Sequence, residues 1–305
     1  MQKQDWHSAQ VSLEERLENL PRDGEAHLKL AKVYGELDSI DRMLITLERA
    51  RSLSPNHIKP ANFIAEKYWF KNFNLGLKKF EQKLFDESVR RFQLAVRIEP
   101  TNTHSLQRLA DALFMGARYQ ESEKNYMRVL AQQPGNLAVK DNLSEICFIE
   151  KKFSKAIELC NEILSVKPFA FKALVRRAYS YEAMGAFEEA EKDFSLLADM
   201  NPTTQLLTDL GMMYFRNGKY EASIKRFTEA LHVSSEKLTL YRCLGEANWY
   251  LGNYKSMVLW YEKLVESLPN DLQGWKKLAL AYESLGQKEM LSIARTHIGS
   301  ITGTN

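Results

Sequence analysis

The side chains best able to ligate a metal, pass a proton or attack a substrate are few in this chain and far apart. Three cysteines (Cys147, Cys160, Cys243) and six histidines (His7, His27, His57, His104, His232, His297) are the whole supply of thiol and imidazole. A zinc site needs such residues in close pairs, and a redox centre needs Cys-x-x-Cys; neither spacing occurs. His-Glu-x-x-His, a Gly-rich phosphate loop and a nucleophile elbow are absent as well. The expectation is therefore a non-enzyme with no catalytic residue, no metal and no cofactor. Cys147 and Cys160 read as small apolar residues of a core.

What any functional side chain must stand on is announced by the prolines. Pro100, Pro134, Pro168 and Pro202 lie 34 residues apart, and Pro269 follows 67 later, one residue short of two further periods. Small and apolar residues recur five, eight and twelve positions before each: Ala50, Leu47 and Met43 before Pro55; Leu197, Phe194 and Ala190 before Pro202; Leu264, Tyr261 and Met257 before Pro269. Further upstream come an apolar-small pair and then an aromatic or apolar residue: Leu30-Ala31 with Tyr34, Leu109-Ala110 with Leu113, Leu210-Gly211 with Tyr214, Leu278-Ala279 with Tyr282. Both halves have the three-to-four spacing of an amphipathic helix, with Gly185, Gly218, Gly252 or Gly286 at the junction. Each unit is two helices and a tight turn, closed in most of them by a proline that lacks an N–H and fixes φ.

The pattern resembles the tetratricopeptide repeat, and its period implies units at 24–57, 69–102, 103–136, 137–170, 171–203, 204–237, 238–271 and 272–305. The resemblance implies an all-α, right-handed superhelical solenoid of about eight helix-turn-helix repeats. Residues 1–23 are then an N-terminal capping helix, carried by Leu13, Leu17 and Leu20. The last unit has Arg295 where the pattern wants an aromatic, which predicts a polar outer helix. An eleven-residue insertion at 58–68 is expected to lengthen the first helix of the second unit by about three turns. Its aromatic residues either fold back on the first unit or, with Phe63, Tyr68, Trp69 and Phe70 exposed, form a second interface for a partner or for self-association through 60–73.

The resemblance also implies where ligands go: a concave face lined by the first helices, binding peptide segments of partner proteins. Carried over position by position, that face holds Gln107, Asp111, Phe114, Asn142, Glu145, Phe148, Lys172, Arg176, Tyr179, Met212, Phe215, Arg242 and Trp249. Co-chaperones of the family clamp a C-terminal carboxylate with Lys, Asn, Asn, Lys and Arg at five such positions. Asn142, Lys172 and Arg176 match the last three, whereas Gln107 and Asp111 stand at the first two, and Asp111 would repel the carboxylate. The leading expectation is a protein-interaction scaffold or adaptor. Co-chaperone-like capture of an acidic tail, and a substrate-recognition subunit of an enzyme complex, are the alternatives.

Composition narrows the partner class. The chain of 305 residues has 42 Lys+Arg against 39 Asp+Glu, too even a balance for a protein that grips nucleic acid or an anionic membrane. Positions 2 and 5 of successive units repeat no polar pair, so no base-reading code is visible. No window has the ~18 apolar residues a membrane span needs. Three scattered cysteines suit a reducing compartment, so a cytoplasmic location is expected; a processed exported protein would read the same. One local excess stands out: residues 59–99 hold nine Lys/Arg against five Asp/Glu.

Overall fold

The computed structural model describes residues 3–303; the outermost residues of the expected first and last segments, 1–2 and 304–305, lie outside them. Among the described residues there are seventeen α-helices and one 3-10 turn, Pro55–His57. They divide into two compact units, 1–146 and 147–305.

The first unit begins with α1 (Lys3–Asn19), then α2 (Gly24–Glu36) and α3 (Ile40–Leu53), then α4 (Ile58–Glu81) and α5 (Phe85–Ile98). It continues with α6 (Thr103–Met115), α7 (Tyr119–Gln132) and most of α8 (Leu137–Ile149). The second unit holds α9 (Phe153–Val166), α10 (Phe171–Ala183), α11 (Phe187–Met200), α12 (Thr204–Arg216) and α13 (Tyr220–Val233). It ends with α14 (Leu238–Tyr250), α15 (Tyr254–Ser267), α16 (Leu272–Ser284) and α17 (Lys288–Thr302).

Proline sets where the second helix of each pair stops. Helices α3, α5, α7, α9, α11 and α15 all end two residues before one, at Leu53, Ile98, Gln132, Val166, Met200 and Ser267. The physical cause is the proline ring, which pushes the residue before it out of the helical region. The turn inside each pair is just as regular. Asp38, Lys83, Ala117, Lys151, Gly185, Gly218, Gly252 and Gly286 all have positive φ, between 55° and 75°. The residue after each donates its N–H to a carbonyl five residues back, as in Ser39 to Tyr34 (2.9 Å), Arg118 to Leu113 (2.8 Å) and Gln287 to Tyr282 (2.9 Å). This six-to-one bond satisfies an orphan carbonyl of the first helix and reverses the chain within three residues.

Small residues let the paired helices touch. A Cβ on Gly211 would lie 2.6 Å from the buried Phe227 ring, and one on Gly245 would lie 2.5 Å from the Tyr261 ring. Two serines pin the same crossing: Ser88 Oγ donates to Gly76 O (2.9 Å) and Ser122 Oγ to Ala110 O (2.8 Å). The core is accordingly a run of helix-pair crossings, with Phe92, Tyr126, Cys160, Phe194, Phe227 and Tyr261 fully buried at successive ones.

At the start, Leu13 and Leu17 of α1 pack on the cluster of α2 and α3, and Tyr34 donates its hydroxyl to Glu14 (2.5 Å). At the other end the expected polar outer helix is corrected. Arg295 does pair with Glu283 (3.3 Å), but α17 leaves Met290 and Ile293 exposed, because only Ala294 of this helix is buried and its apolar arc is wider than the contact it makes.

Candidate functional site

The expected binding residues belong to first helices of the pairs, held at fixed height by the turns and by the small-residue crossings. They fall in both compact units, and each set has its own geometry.

In the first unit the polar positions satisfy one another. Asp111 accepts from the Tyr126 hydroxyl (2.6 Å) and from Asn142 Nδ2 (3.4 Å), while Asn142 Nδ2 also donates to the Tyr126 oxygen (2.9 Å). Arg108 closes the group from the solvent side (3.3 Å). Burial pushes the Asp111 carboxyl above its usual range, against the pull of Tyr126, Arg108 and Asn142. Asp111 and Asn142, both half-buried, are thus bonded within a network that Tyr126 and Arg108 complete. Gln107, Phe114 and Glu145 are half-buried, and Phe114 packs at 5.8 Å from Tyr119.

The lengthened helix α4 runs 24 residues where its counterparts α6, α10 and α12 run 13. Two of its four expected interface aromatics turn inward, which corrects their assignment. The Tyr68 ring fills a notch at Gly35, where a Cβ would lie 2.4 Å away; its hydroxyl bonds Lys32 O (2.8 Å) and Glu36 Oε1 (2.9 Å). Trp69 donates Nε1 to Ser105 Oγ (2.9 Å) and stacks on Phe73 at 5.2 Å. Phe63 and Phe70 face outward, 69% and 58% exposed. The sequence holds a signal for Tyr68: Gly35 is a glycine inside a helix, which marks a close approach.

In the second unit the aromatic positions gather. Phe215 meets Tyr220 at 5.5 Å and Tyr250 at 5.3 Å, both edge to face, and Tyr220 stacks on Tyr250 at 5.1 Å. Trp249 lies 5.2 Å from Tyr250, and Lys277 Nζ sits 3.6 Å above the Trp249 ring. Tyr250 remains 54% exposed, so the group is a surface cluster and not a core. Charges pair between neighbouring first helices, Glu182 with Arg216 and Glu246 with Lys277 (2.9 Å), and Arg242 of α14 pairs with Asp271, the residue before α16 (2.7 Å). Tyr179 donates to Asp209 and packs edge-on to Phe194 at 5.0 Å.

The remaining expected residues separate further. Lys172 is exposed and Met212 half-buried, while Arg176 is only 8% exposed and is corrected to a buried residue of α10. Phe148 is half-buried, edge to face with Phe153 at 5.8 Å. Lys277 and Tyr220 were not singled out as ligand-facing from the sequence. Lys277 could have been, since it holds the position in its unit that Arg176 holds in its own. Cys147 and Cys160 are buried and Cys243 half-buried, and burial pushes the Cys243 thiol up to about 11, leaving it protonated at neutral pH.

Helix pairs joined by one repeated turn, each burying its apolar face on the next, define a helical-repeat protein. Family models described as tetratricopeptide repeat match residues 171–204 and 208–272. The chain contains tetratricopeptide repeats. It is 30% identical over 116 residues to sperm-associated antigen 1 of Mus musculus, covering 35% of this chain and 13% of that protein. It is 25% identical over 175 residues to superkiller protein 3 of Schizosaccharomyces pombe, covering 57% and 12%. The chain thus spans about an eighth of the length of these relatives. Its fold matches the crystal structure of the C-terminal part of a TPR repeat-containing protein from Cytophaga hutchinsonii, with a TM-score of 0.64 at 18% identity over 76% of this chain and 96% of that one. This is a fold that generally mediates protein–protein interaction. Among the described residues no helix is long and apolar enough to cross a membrane.

Proposed function

We propose that this chain is a non-enzymatic adaptor that binds peptide segments of partner proteins on the first-helix faces of its repeats. The observation that carries the reading is the surface aromatic cluster of half-buried Phe215, Tyr220 and Trp249 around the exposed Tyr250, with Lys277 against it. Such a surface offers flat apolar area beside a cation, and aromatic residues are the side chains on which binding energy concentrates at interfaces. The paired charges lower the cost of desolvating the rim, since each ion keeps a partner when water leaves.

The test is capture of partners by the purified chain followed by mapping of the bound peptide. Trp249→Ala with Phe215→Ala is expected to weaken the mapped peptide by about tenfold or more while circular dichroism stays unchanged. Undiminished binding by that variant would remove the cluster from the site. A bound peptide ending in a free acidic C-terminus and released by Lys172→Ala alone would replace the aromatic reading with tail capture.

A further inference from the structure

Helix α4 presents two opposite faces. Ala61, Ile64, Tyr68, Asn72 and Gly76 form its buried stripe, one residue per turn. On the far side Phe63, Phe70 and Leu77 recur every seventh residue, a seam about 21 Å long, with both phenylalanines more than half exposed. Phe70 meets the Trp69 ring at 6.3 Å, yet both phenylalanines stay mostly in water.

The flanks of the seam are unequal. On one side stand Lys67, Lys71 and Lys78; Lys67 (3.4 Å) and Lys71 (2.8 Å) share the single carboxylate of Glu36. Lys78 is exposed, as is Lys32, one turn before Glu36 on α2. Lys67 and Lys71 thus divide one carboxylate between them, and the Lys32 and Lys78 ammonium groups stand in water. Glu66 and Glu81 lie on or beside the seam itself.

We infer that the Phe63–Phe70–Leu77 seam docks an amphipathic helix of a partner protein, one with apolar residues at seven-residue spacing and acidic residues along the flank that meets the lysines. The inference rests on the reading of first-helix faces as docking surfaces and names the chemistry of one partner. Charge complementarity decides between occupants. An anionic membrane would have to take up Glu66 and Glu81 together with the rings, which is unfavourable. A second copy, paired antiparallel by symmetry, would set lysine edge against lysine edge. An acidic helix satisfies the lysines and covers the rings.

The experiment uses the full chain and two fluorescein-labelled helical peptides about three heptads long, with leucine at every seventh position and either glutamate or lysine at all flanking positions. Fluorescence anisotropy is expected to show saturable binding of the glutamate peptide, weakening as salt is raised. Phe63→Ala with Phe70→Ala is expected to cost about tenfold or more in affinity; both rings are exposed, so helicity by circular dichroism stays as in the wild type. Lys32→Glu with Lys78→Glu is expected to reverse the preference toward the lysine peptide. No saturable binding of the glutamate peptide, equal binding of the two, or indifference to the double alanine variant overturns the proposal. So does ring-dependent co-sedimentation with phosphatidylserine vesicles, or a dimer in sedimentation analysis that the alanine variant abolishes. A partner lost with Trp249→Ala but bound equally by the Phe63/Phe70 variant sinks this inference and leaves the wider reading standing.

Discussion

Tyr126 and Tyr261 occupy the same place in two different helix pairs, and each donates to a carboxylate on the neighbouring first helix: Asp111 at 2.6 Å and Glu246 at 2.8 Å. Glu36 receives such a bond too, from Tyr68, a residue of the insertion. Partial burial alone pushes the Glu36 carboxyl up, but Lys71, Tyr68 and Lys67 together outweigh it and hold it below its ordinary value of 4.5. A depressed carboxylate contributes stability that is present above pH 4.5 and lost as pH falls through its folded value. Glu36→Gln is therefore expected to destabilise by about 1 kcal/mol at neutral pH, and the gap from wild type in urea melts should close below pH 4.5. A gap independent of pH would show that the charge of Glu36 contributes nothing. At this scale the sequence was only partly legible. The period identifies which residues stand on first helices, but not that Asp111 and Asn142 bond each other, because that depends on which side chain of the adjoining helix arrives opposite. Which aromatics of the insertion fold back stays undecided in the sequence for a similar reason: the partners of Tyr68 and Trp69, Gly35 and Ser105, are more than thirty residues away.

At the level of helices and turns, proline spacing made most second-helix ends readable, and the lengthened α4 followed from an uninterrupted helical stretch. The turns were half legible. Four carry glycine at the left-handed position, while Asp38, Lys83, Ala117 and Lys151 adopt the same φ with a Cβ. They hold it because the surrounding hydrogen bonds determine the turn, as with Lys152 N–H to Cys147 O at 2.7 Å. A side chain in that region costs about 1–2 kcal/mol, offset in part by the greater chain entropy glycine loses on folding. Ala117→Gly and Lys151→Gly are each expected to stabilise by about 0.5–1 kcal/mol, and Gly252→Ala to destabilise by about 1 kcal/mol, measured by thermal or urea unfolding. A Gly252→Ala protein as stable as wild type would mean that the turn's conformation is not what limits it.

For the molecule as a whole, the repeat predicts a continuous row of similar units, yet the chain divides into two compact bodies at 146–147, inside the span of α8. That division has no mark in the sequence, because the 34-residue period runs through it without a change in composition. Since the core is a run of local helix crossings, unfolding need not be all-or-none. Scanning calorimetry is expected to give a van't Hoff enthalpy well below the calorimetric one, which should itself be on the order of 200 kcal/mol at about 0.7 kcal/mol per residue. Equal enthalpies would show that the whole chain melts as one cooperative body.

The hydroxyl-to-carboxylate bonds have an optical consequence. Tyr34, Tyr68, Tyr126, Tyr179, Tyr214, Tyr261 and Tyr282 are seven of the thirteen tyrosines, and burial followed by a neighbouring carboxylate pushes each phenol above its ordinary value of 10.0, Tyr34 to about 12. A raised phenol favours the native state below pH 10 and withdraws that support as pH climbs. Ultraviolet absorbance of tyrosinate in an alkaline titration should then rise in a steep late step that coincides with loss of helical ellipticity. A gradual rise that leaves the ellipticity intact would separate the phenols from the fold. Spread over both bodies, these seven rings make the chain's colour in alkali a gauge of how much of it is still folded.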